Sequence, residues 1–392
     1  MTPTAPAPTA PPDALPNGTS PGAPHAPTDA EPAGAFLRAA RGLPVERTPV
    51  WFMRQAGRTL PEYRKVRERY TLLEICEHAD VCAEVTLQPM RRLPLDAAVM
   101  FGDIMIPLVG VGVDLDIVEK VGPVVAEPIR TLADTERLRP LDPEADCGPI
   151  LEAVRLVRRE LEPHRAVLGF AGAPFTLASY LIEGRPTRDF VHTKALMHGA
   201  PDVWDAVMSR LCGIVVSFLR ANAEAGADAL QLFDSWVGAL SATDYARHVR
   251  PYTQRIFAEL RDLGVPLVHF GTGTAHLLDM MKDDGGTVVG LDWRVPLDEA
   301  WARVGHRLGV QGNLDPAVLS APLPVVEEAA RDVLRRAAGR PGHVFNLGHG
   351  LLPQTPLAAI ERVVEVVHTY RHDAAEAPAG AEPAPAAAGA AA

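Results

Sequence analysis

Short apolar runs rich in Val, Leu, Ile and Phe alternate along the chain with longer stretches of helical periodicity. Eight such runs can be counted, at 50–53, 97–101, 166–170, 229–233, 266–270, 288–291, 309–311 and 343–347. The intervals carry helix signals. Thr71 and Glu74 form a capping box ahead of Leu72, Leu73 and Ile75, and Thr355-Pro356 opens a helix with an Ile360, Val363, Val364, Val367 stripe. Strand and helix alternating throughout imply a parallel sheet.

Eight strands in one α/β chain suit a single (β/α)8 TIM barrel, with a doubly wound sheet as the competing architecture. The polar residues favour the barrel, because every run ends on its C-terminal side in something polar or glycine-rich. In chain order these ends are Arg54 and Arg58, Gly102-Asp103, Gly172-Ala173-Pro174, Asp234-Ser235, Gly271-Thr272-Gly273, Asp292, Gly312-Asn313-Leu314-Asp315 and Gly348-His349-Gly350. In a barrel they converge on one mouth, where active sites of this fold lie.

Composition changes this picture only at the two ends. Residues 1–33 are Pro, Ala, Thr and Gly without the branched and aromatic side chains a core needs, and 373–392 read the same way. Both are expected to be disordered tails flanking a barrel domain over 34–372. No apolar run approaches the length of a membrane span, and the first residues carry neither the basic start nor the apolar core of a secretory leader. Cys76, Cys82, Cys147 and Cys212 have no CxxC spacing, so they read as small buried side chains in a reducing cytoplasm.

The formal charge of −11 argues against a general nucleic-acid binder. Against that acidic background, the segment from Arg54 to Arg69 holds six basic and two acidic residues. If the loop makes one helical turn, Arg54 and Arg58 share a side, and Gly57 lets a ligand approach the backbone. Two guanidinium groups held so close call for anions between them, which points to a polycarboxylate or phosphate ligand. The blander reading is surface ion pairing with Glu62 and Glu68.

The remaining mouth residues are Asp103, Asp234, Ser235, Asp292 and His349, with no evident metal shell. His269-Phe270-Gly271 lacks a cysteine two residues on, no lysine ends a strand, and Ser235 lies in no G-x-S-x-G elbow. Elimination leaves an anion site that does acid–base or electrostatic work, centred on Asp103 as a carboxylate able to stabilise a developing cation. Asp234 and Asp292 read equally well as caps or orienting groups, and Tyr180 alone would be a core aromatic.

Pro49-Val50-Trp51 with Met53-Arg54-Gln55-Ala56-Gly57-Arg58 and Leu60-Pro61-Glu62-Tyr63-Arg64 resembles the first signature of the uroporphyrinogen decarboxylase family. Gly169-Phe170-Ala171-Gly172-Ala173-Pro174-Phe175-Thr176-Leu177 resembles the second. Leu95-Asp96-Ala97-Ala98 with Asp103, Gln231-Leu232-Phe233-Asp234-Ser235, Gln311-Gly312-Asn313-Leu314-Asp315-Pro316 and Asn346-Leu347-Gly348-His349-Gly350 are similar to further family motifs. The likeness covers about 36–370, with Phe52, Phe175 and Trp236-Val237 at variable positions.

The resemblance implies a cytoplasmic homodimer that removes carbon dioxide from the four acetate side chains of uroporphyrinogen III without metal or prosthetic group. It implies substrate binding by Arg54, Gln55, Ala56, Gly57, Arg58, Tyr180, Ser235 and His349, and packing of Phe233 on the substrate. Asp103 is implied as the transition-state stabiliser facing the pyrrole N–H groups, and Arg67 as a proton donor. Two other readings stay open, a corrinoid-to-thiol methyltransferase of the same superfamily and a non-catalytic tetrapyrrole carrier.

Overall fold

The computed structural model describes residues 34–118 and 121–372. The two expected tails, 1–33 and 373–392, lie outside the described residues. Nine strands are assigned within the described residues: β1 Ala97–Val99, β2 Leu115–Val118, β3 Gly122–Val125, β4 Ala166–Gly172, β5 Ala229–Asp234, β6 Leu267–Gly271, β7 Val288–Gly290, β8 Gly309–Gln311 and β9 His343–Val344. Seven of them form one parallel sheet in the order β1-β4-β5-β6-β7-β8-β9, with helices in the connections.

The run at 50–53 closes the ring. Val50 bridges Phe345 in parallel beyond β9, and Phe345 N–H donates to Pro49 O at 2.9 Å. On the other side, Asp96 N–H donates to Val50 O at 2.9 Å beside β1. The run thus joins both edges of the sheet, yet pairs over too short a length to count as a full strand. Proline at 49 offers no N–H, and Arg54 leaves extended geometry at φ +63°, so pairing is cut off at both ends.

Alternation along the strands sorts the core into two packed layers. Ala97, Val99, Ala166, Leu168, Ala229, Val268, Phe270, Val288 and Val344 belong to one buried cluster, to which Trp51, Met53 and, from helix Ala35–Ala40, Phe36, Ala39 and Ala40 contribute. Their sequence neighbours Ala98, Val167, Leu230, Leu267 and Val289 belong to the second, larger cluster with the surrounding helices. A polar chain crosses the interior. Trp51 Nε1–H donates to Gln311 Oε1 at 3.1 Å, and Gln311 Nε2–H donates to Gln231 Oε1 at 3.0 Å.

The capping box forms as expected, with Glu74 N–H on Thr71 Oγ1 and Thr71 N–H on the Glu74 carboxylate. Helix Leu357–Thr369 buries Ile360, Val363, Val364 and Val367. All four cysteines are buried and free. The pair β2–β3 is an antiparallel hairpin that the reading of runs did not anticipate. It lies in the connection from β1 to β4, outside the barrel sheet, and is tied down where Val125 N–H donates to Gly184 O at 2.8 Å.

Candidate active site

The first strand delivers Arg54 to the mouth by fixing everything around it. Gln55 is almost wholly buried, and its side chain faces inward. Its Oε1 accepts the Phe52 N–H at 3.0 Å and its Nε2 donates to Ala97 O at 2.9 Å. Met53 N–H reaches Asn346 Oδ1 at 3.3 Å, so the loop base is tied to both neighbouring strands. The left-handed Arg54 rules out the single helical turn expected for 54–58. The loop instead makes two short turns, Gln55 N–H to Phe52 O and Leu60 N–H to Gly57 O. A Cβ at Gly57 would come 2.8 Å from Arg54 O, so glycine there serves the folding of the loop onto itself. The stem of Arg54 lies over Gly350, where a Cβ would sit 2.5 Å from its Cδ. Arg58 is exposed and its carbonyl accepts from Arg64 Nη1 at 3.3 Å. Ala56 is buried.

Around Arg54 stand Asp103 and His349, each a few residues past a strand of the barrel, and Tyr180 from helix Pro174–Glu183. The Arg54 charge acts on all three. Desolvation by the surrounding protein raises the Asp103 pKa above the ordinary carboxylate value. The Met105 N–H, on Oδ1 at 2.9 Å, and Arg54 only partly offset it. Among the described residues Oδ2 has no hydrogen-bond partner. Burial pushes the Tyr180 phenol up to about 12, with hydrogen bonding to Trp236 a smaller opposing effect, so it stays a donor at neutral pH. His349 moves the other way, down to about 4, because burial and then the Arg54 and Arg294 charges disfavour the imidazolium. Its Nδ1 accepts the Gly350 N–H at 2.6 Å, which leaves the proton of the neutral ring on Nε2.

Phe233, half-buried, stands edge-on to Phe170 and Phe270 at 5.4 and 5.8 Å, and Phe270 faces His349 at 6.4 Å. These rings form an apolar patch beside the charged groups. Ser235 lies farther round the mouth and lines a cavity of about 580 Å³ with Arg188, Phe190, Trp236, Thr272 and Arg294. Trp236 bridges the two halves, its ring 6.1 Å from Tyr180.

Asp234 and Asp292 prove to be orienting groups. Asp234 is fully buried and accepts the Thr176 hydroxyl at 2.9 Å. Asp292 binds the Gly273 and Arg294 N–H groups and holds the Arg294 guanidinium at 2.6 Å. Arg294 and Arg188 were missed by reasoning from the runs. Arg294 sits two residues beyond a strand-end aspartate, which is the signal that would have found it; Arg188 lies in a connection and offers no such signal. Arg67 stands back from this group. Its Nη1 donates to Tyr63 OH at 3.4 Å, and the Tyr63 ring packs at 5.5 Å on Phe101, two residues before Asp103. The Arg67 Nε is buried without a partner among the described residues.

In chemical terms the mouth offers cationic forks, two neutral donors, and a carboxylate whose charge is poorly solvated. Such a set has the chemistry to bind a multiply anionic ligand and to stabilise a cation forming beside the carboxylate. His269, fully buried between Asp234 and Asp284 at 3.7 and 3.9 Å, has no cysteine beside it to complete a thiol-activating zinc site.

Three comparisons bear on this geometry. The family model described as Uroporphyrinogen decarboxylase (URO-D) matches residues 31–370. The chain is 60% identical over 335 residues to the uroporphyrinogen decarboxylase of Thermobifida fusca, covering 86% of this chain and 92% of that protein. It is 54% identical over 332 residues to a uroporphyrinogen decarboxylase of Thermus thermophilus, covering 85% and 96%. Among solved structures, a methyltransferase from Methanosarcina mazei superposes with a TM-score of 0.70 at 19% identity, covering 85% of this chain and 96% of that one, which shows a shared fold.

Proposed function

Since the chain belongs to the uroporphyrinogen decarboxylase family, we propose that it is a carboxy-lyase that converts uroporphyrinogen III to coproporphyrinogen III in porphyrin and haem biosynthesis. The observation that carries the assignment of the site is the convergence of Arg54, Asp103 and His349 from three strand ends, and Tyr180 from helix Pro174–Glu183, with the Arg54 charge acting on the other three. A substrate edged with carboxylates and centred on four pyrrole N–H groups is complementary to that arrangement.

The chemistry follows from the substrate. Protonation of a pyrrole α-carbon makes the ring cationic and places the positive charge in conjugation with the β-carbon bearing the acetate. The C–C bond to the carboxylate then breaks, its electron pair enters the ring, and carbon dioxide leaves. A proton adds to the exocyclic carbon to form the methyl group, and the α-carbon loses its extra proton. The net change is replacement of carbon dioxide by one proton, so the ring is its own electron sink and no cofactor is required by this route. Asp103, through the oxygen not engaged by the Met105 N–H, stabilises the ring cation. Arg54 and Arg58 hold carboxylates, His349 donates through Nε2, and Tyr180 and Ser235 donate through their hydroxyls. Phe233 supplies an apolar wall. Gln55 and Ala56 contribute by shaping the loop. Arg67 as proton donor has the weakest support, because its guanidinium lies behind Tyr63 and is a poor acid.

The same reading includes a homodimer in the cytoplasm. No helix among the described residues is long and apolar enough to cross a membrane. Sedimentation of the purified chain tests the dimer. The activity is tested by anaerobic incubation of metal-free protein with uroporphyrinogen III and separation of the oxidised products by carboxyl number. Stepwise appearance of seven-, six-, five- and four-carboxyl porphyrins is expected. Unchanged eight-carboxyl material from folded protein overturns the assignment.

A further inference from the structure

Away from the mouth, His198, Asp244 and His248 bring two imidazoles and a carboxylate together, with the ligand atoms all within 4.8 Å of one another. His198 lies in the last turn of helix Val191–Gly199. Asp244 and His248 come from the following segment, where the short helix Ala242–Asp244 runs into one wide turn over Tyr245–Val249. The His198 and His248 rings are 5.4 Å apart and edge-on, and His198 Nε2 lies 3.8 Å from Asp244 Oδ1.

The ligands are positioned by groups behind them. Ser241 Oγ–H donates to Asp244 Oδ2 at 2.8 Å, which turns Oδ1 toward the imidazoles. Trp204 Nε1–H donates to the His248 carbonyl at 2.9 Å, which anchors the backbone bearing that ring. Such outer partners are what orient ligands in protein metal sites.

We propose that His198, Asp244 and His248 form a binding site for a borderline divalent transition metal ion such as Zn²⁺. Bonds of about 2.0–2.1 Å place tetrahedral ligand atoms about 3.4 Å apart, so the group must close by roughly 1 Å. The exposed His198 side chain allows this by a small rotation. Two nitrogens and one oxygen favour zinc, nickel, cobalt or copper over magnesium and calcium, which require oxygen shells. A fourth position stays open to water, and Arg247 beside His248 opposes the ion, so the site is exchangeable rather than permanent.

Occupancy has a mechanical consequence. The helix carrying His198 follows the residues Pro186, Thr187, Arg188 and Phe190 that line one lip of the cavity. The segment carrying Asp244 and His248 follows Trp236 and Ala239 on the other. Contacts already link the two, among them Lys194 Nζ–H on Ala239 O at 2.8 Å and the Phe190 ring 5.8 Å from that of Trp236. A bound ion adds a further clasp between the lips.

The test is titration of tag-free, full-length, tetrapyrrole-free protein with Zn²⁺ by calorimetry, with Co²⁺ absorption as a second probe and thermal unfolding as a third readout. The wild type is expected to take up one ion per chain and to unfold at higher temperature with it. His248→Ala and Asp244→Asn are each expected to weaken binding at least about tenfold and to abolish the thermal shift, and Ser241→Ala to weaken it by about tenfold. Far-ultraviolet dichroism confirms that each variant is folded. Absence of saturable binding in the wild type overturns the proposal. So does one-equivalent binding that persists unchanged in both ligand variants. None of the three readouts depends on decarboxylation.

Discussion

Replacement of Asp103 by asparagine separates its electrostatic role from its place in the fold. The Oδ1 contact to the Met105 N–H at 2.9 Å survives, because an amide oxygen accepts the same bond. The change removes a charge that the fold holds at a cost, since burial raises the Asp103 pKa above its ordinary value. The sign follows directly. An acid whose folded pKa is raised loses stability as pH climbs from its unfolded value through the folded one, so at neutral pH the amide variant is as stable as the wild type or more so. Catalysis moves the opposite way. A unit positive charge about 4 Å from the carboxylate, at an effective dielectric of about 20, interacts by roughly 4 kcal/mol. Loss of about 3 kcal/mol of this in the transition state lowers kcat by about two orders of magnitude. The assay is anaerobic turnover of uroporphyrinogen III with product separation by carboxyl number, beside thermal unfolding and substrate binding. The expected result is unchanged or raised Tm, retained binding and a kcat down about a hundredfold. A kcat within about threefold of wild type in folded Asp103→Asn protein refutes the role of the carboxylate.

Three further outcomes follow from named contacts. Gly350→Ala places a Cβ against the Arg54 stem, so kcat/KM falls about tenfold or more through loss of a charge-assisted contact while stability changes little; an unaltered KM would detach Arg54 from substrate binding. The His349 imidazole stays neutral down to about pH 4, so its ring resonances show no midpoint near 6.5, and the folded chain loses stability as pH falls from 6.5 toward 4 because only the unfolded ring takes up the proton. Asp96 accepts two bonds from Arg47 and one each from Val50 N–H and His368, so Asp96→Ala costs about 3 kcal/mol by urea unfolding, and a cost under about 1 kcal/mol would refute its part in closing the barrel. Desolvation pushes the Asp96 pKa up but those bonds outweigh it, so the contribution is present above about pH 4 and is lost as pH falls through the lowered folded value.

The barrel was legible because its strands are buried on both faces and therefore read as unbroken apolar runs between helical stretches. All eight runs fall on the ring, although 50–53 and 343–347 pair over fewer residues than their hydrophobicity covers. Hydrophobicity reports burial, whereas ladder length depends on backbone donors and dihedrals, and Pro49 and Arg54 limit both. The hairpin β2–β3 escaped notice for the opposite reason. Leu115, Asp116, Ile117 and Val118 alternate between half-buried and exposed with no fully buried position, so they do not form the unbroken apolar run that marks a barrel strand. The cavity beside Ser235 was only partly legible, since Arg294 follows a strand-end aspartate whereas Arg188 comes from a connection that leaves no such trace.

The arginine loop shows why a motif can be recognised while the roles of its members are not. Arg54 and Gln55 are neighbours in one signature, yet one is exposed at the mouth and the other has its side-chain oxygen and nitrogen engaged inside the barrel. Only the destination of each donor and acceptor separates them, and that is a property of the folded chain. Gln55 fixes the turn, the left-handed backbone at Arg54 redirects the chain, and Gly350 leaves the lane in which the Arg54 stem lies. The position of one guanidinium therefore depends on residues nearly three hundred positions apart in sequence. A substitution at Gln55 or Gly350 should for that reason resemble a substitution of Arg54 in its effect on substrate affinity, while only Gln55 also loosens the joint between the first strand and Ala97.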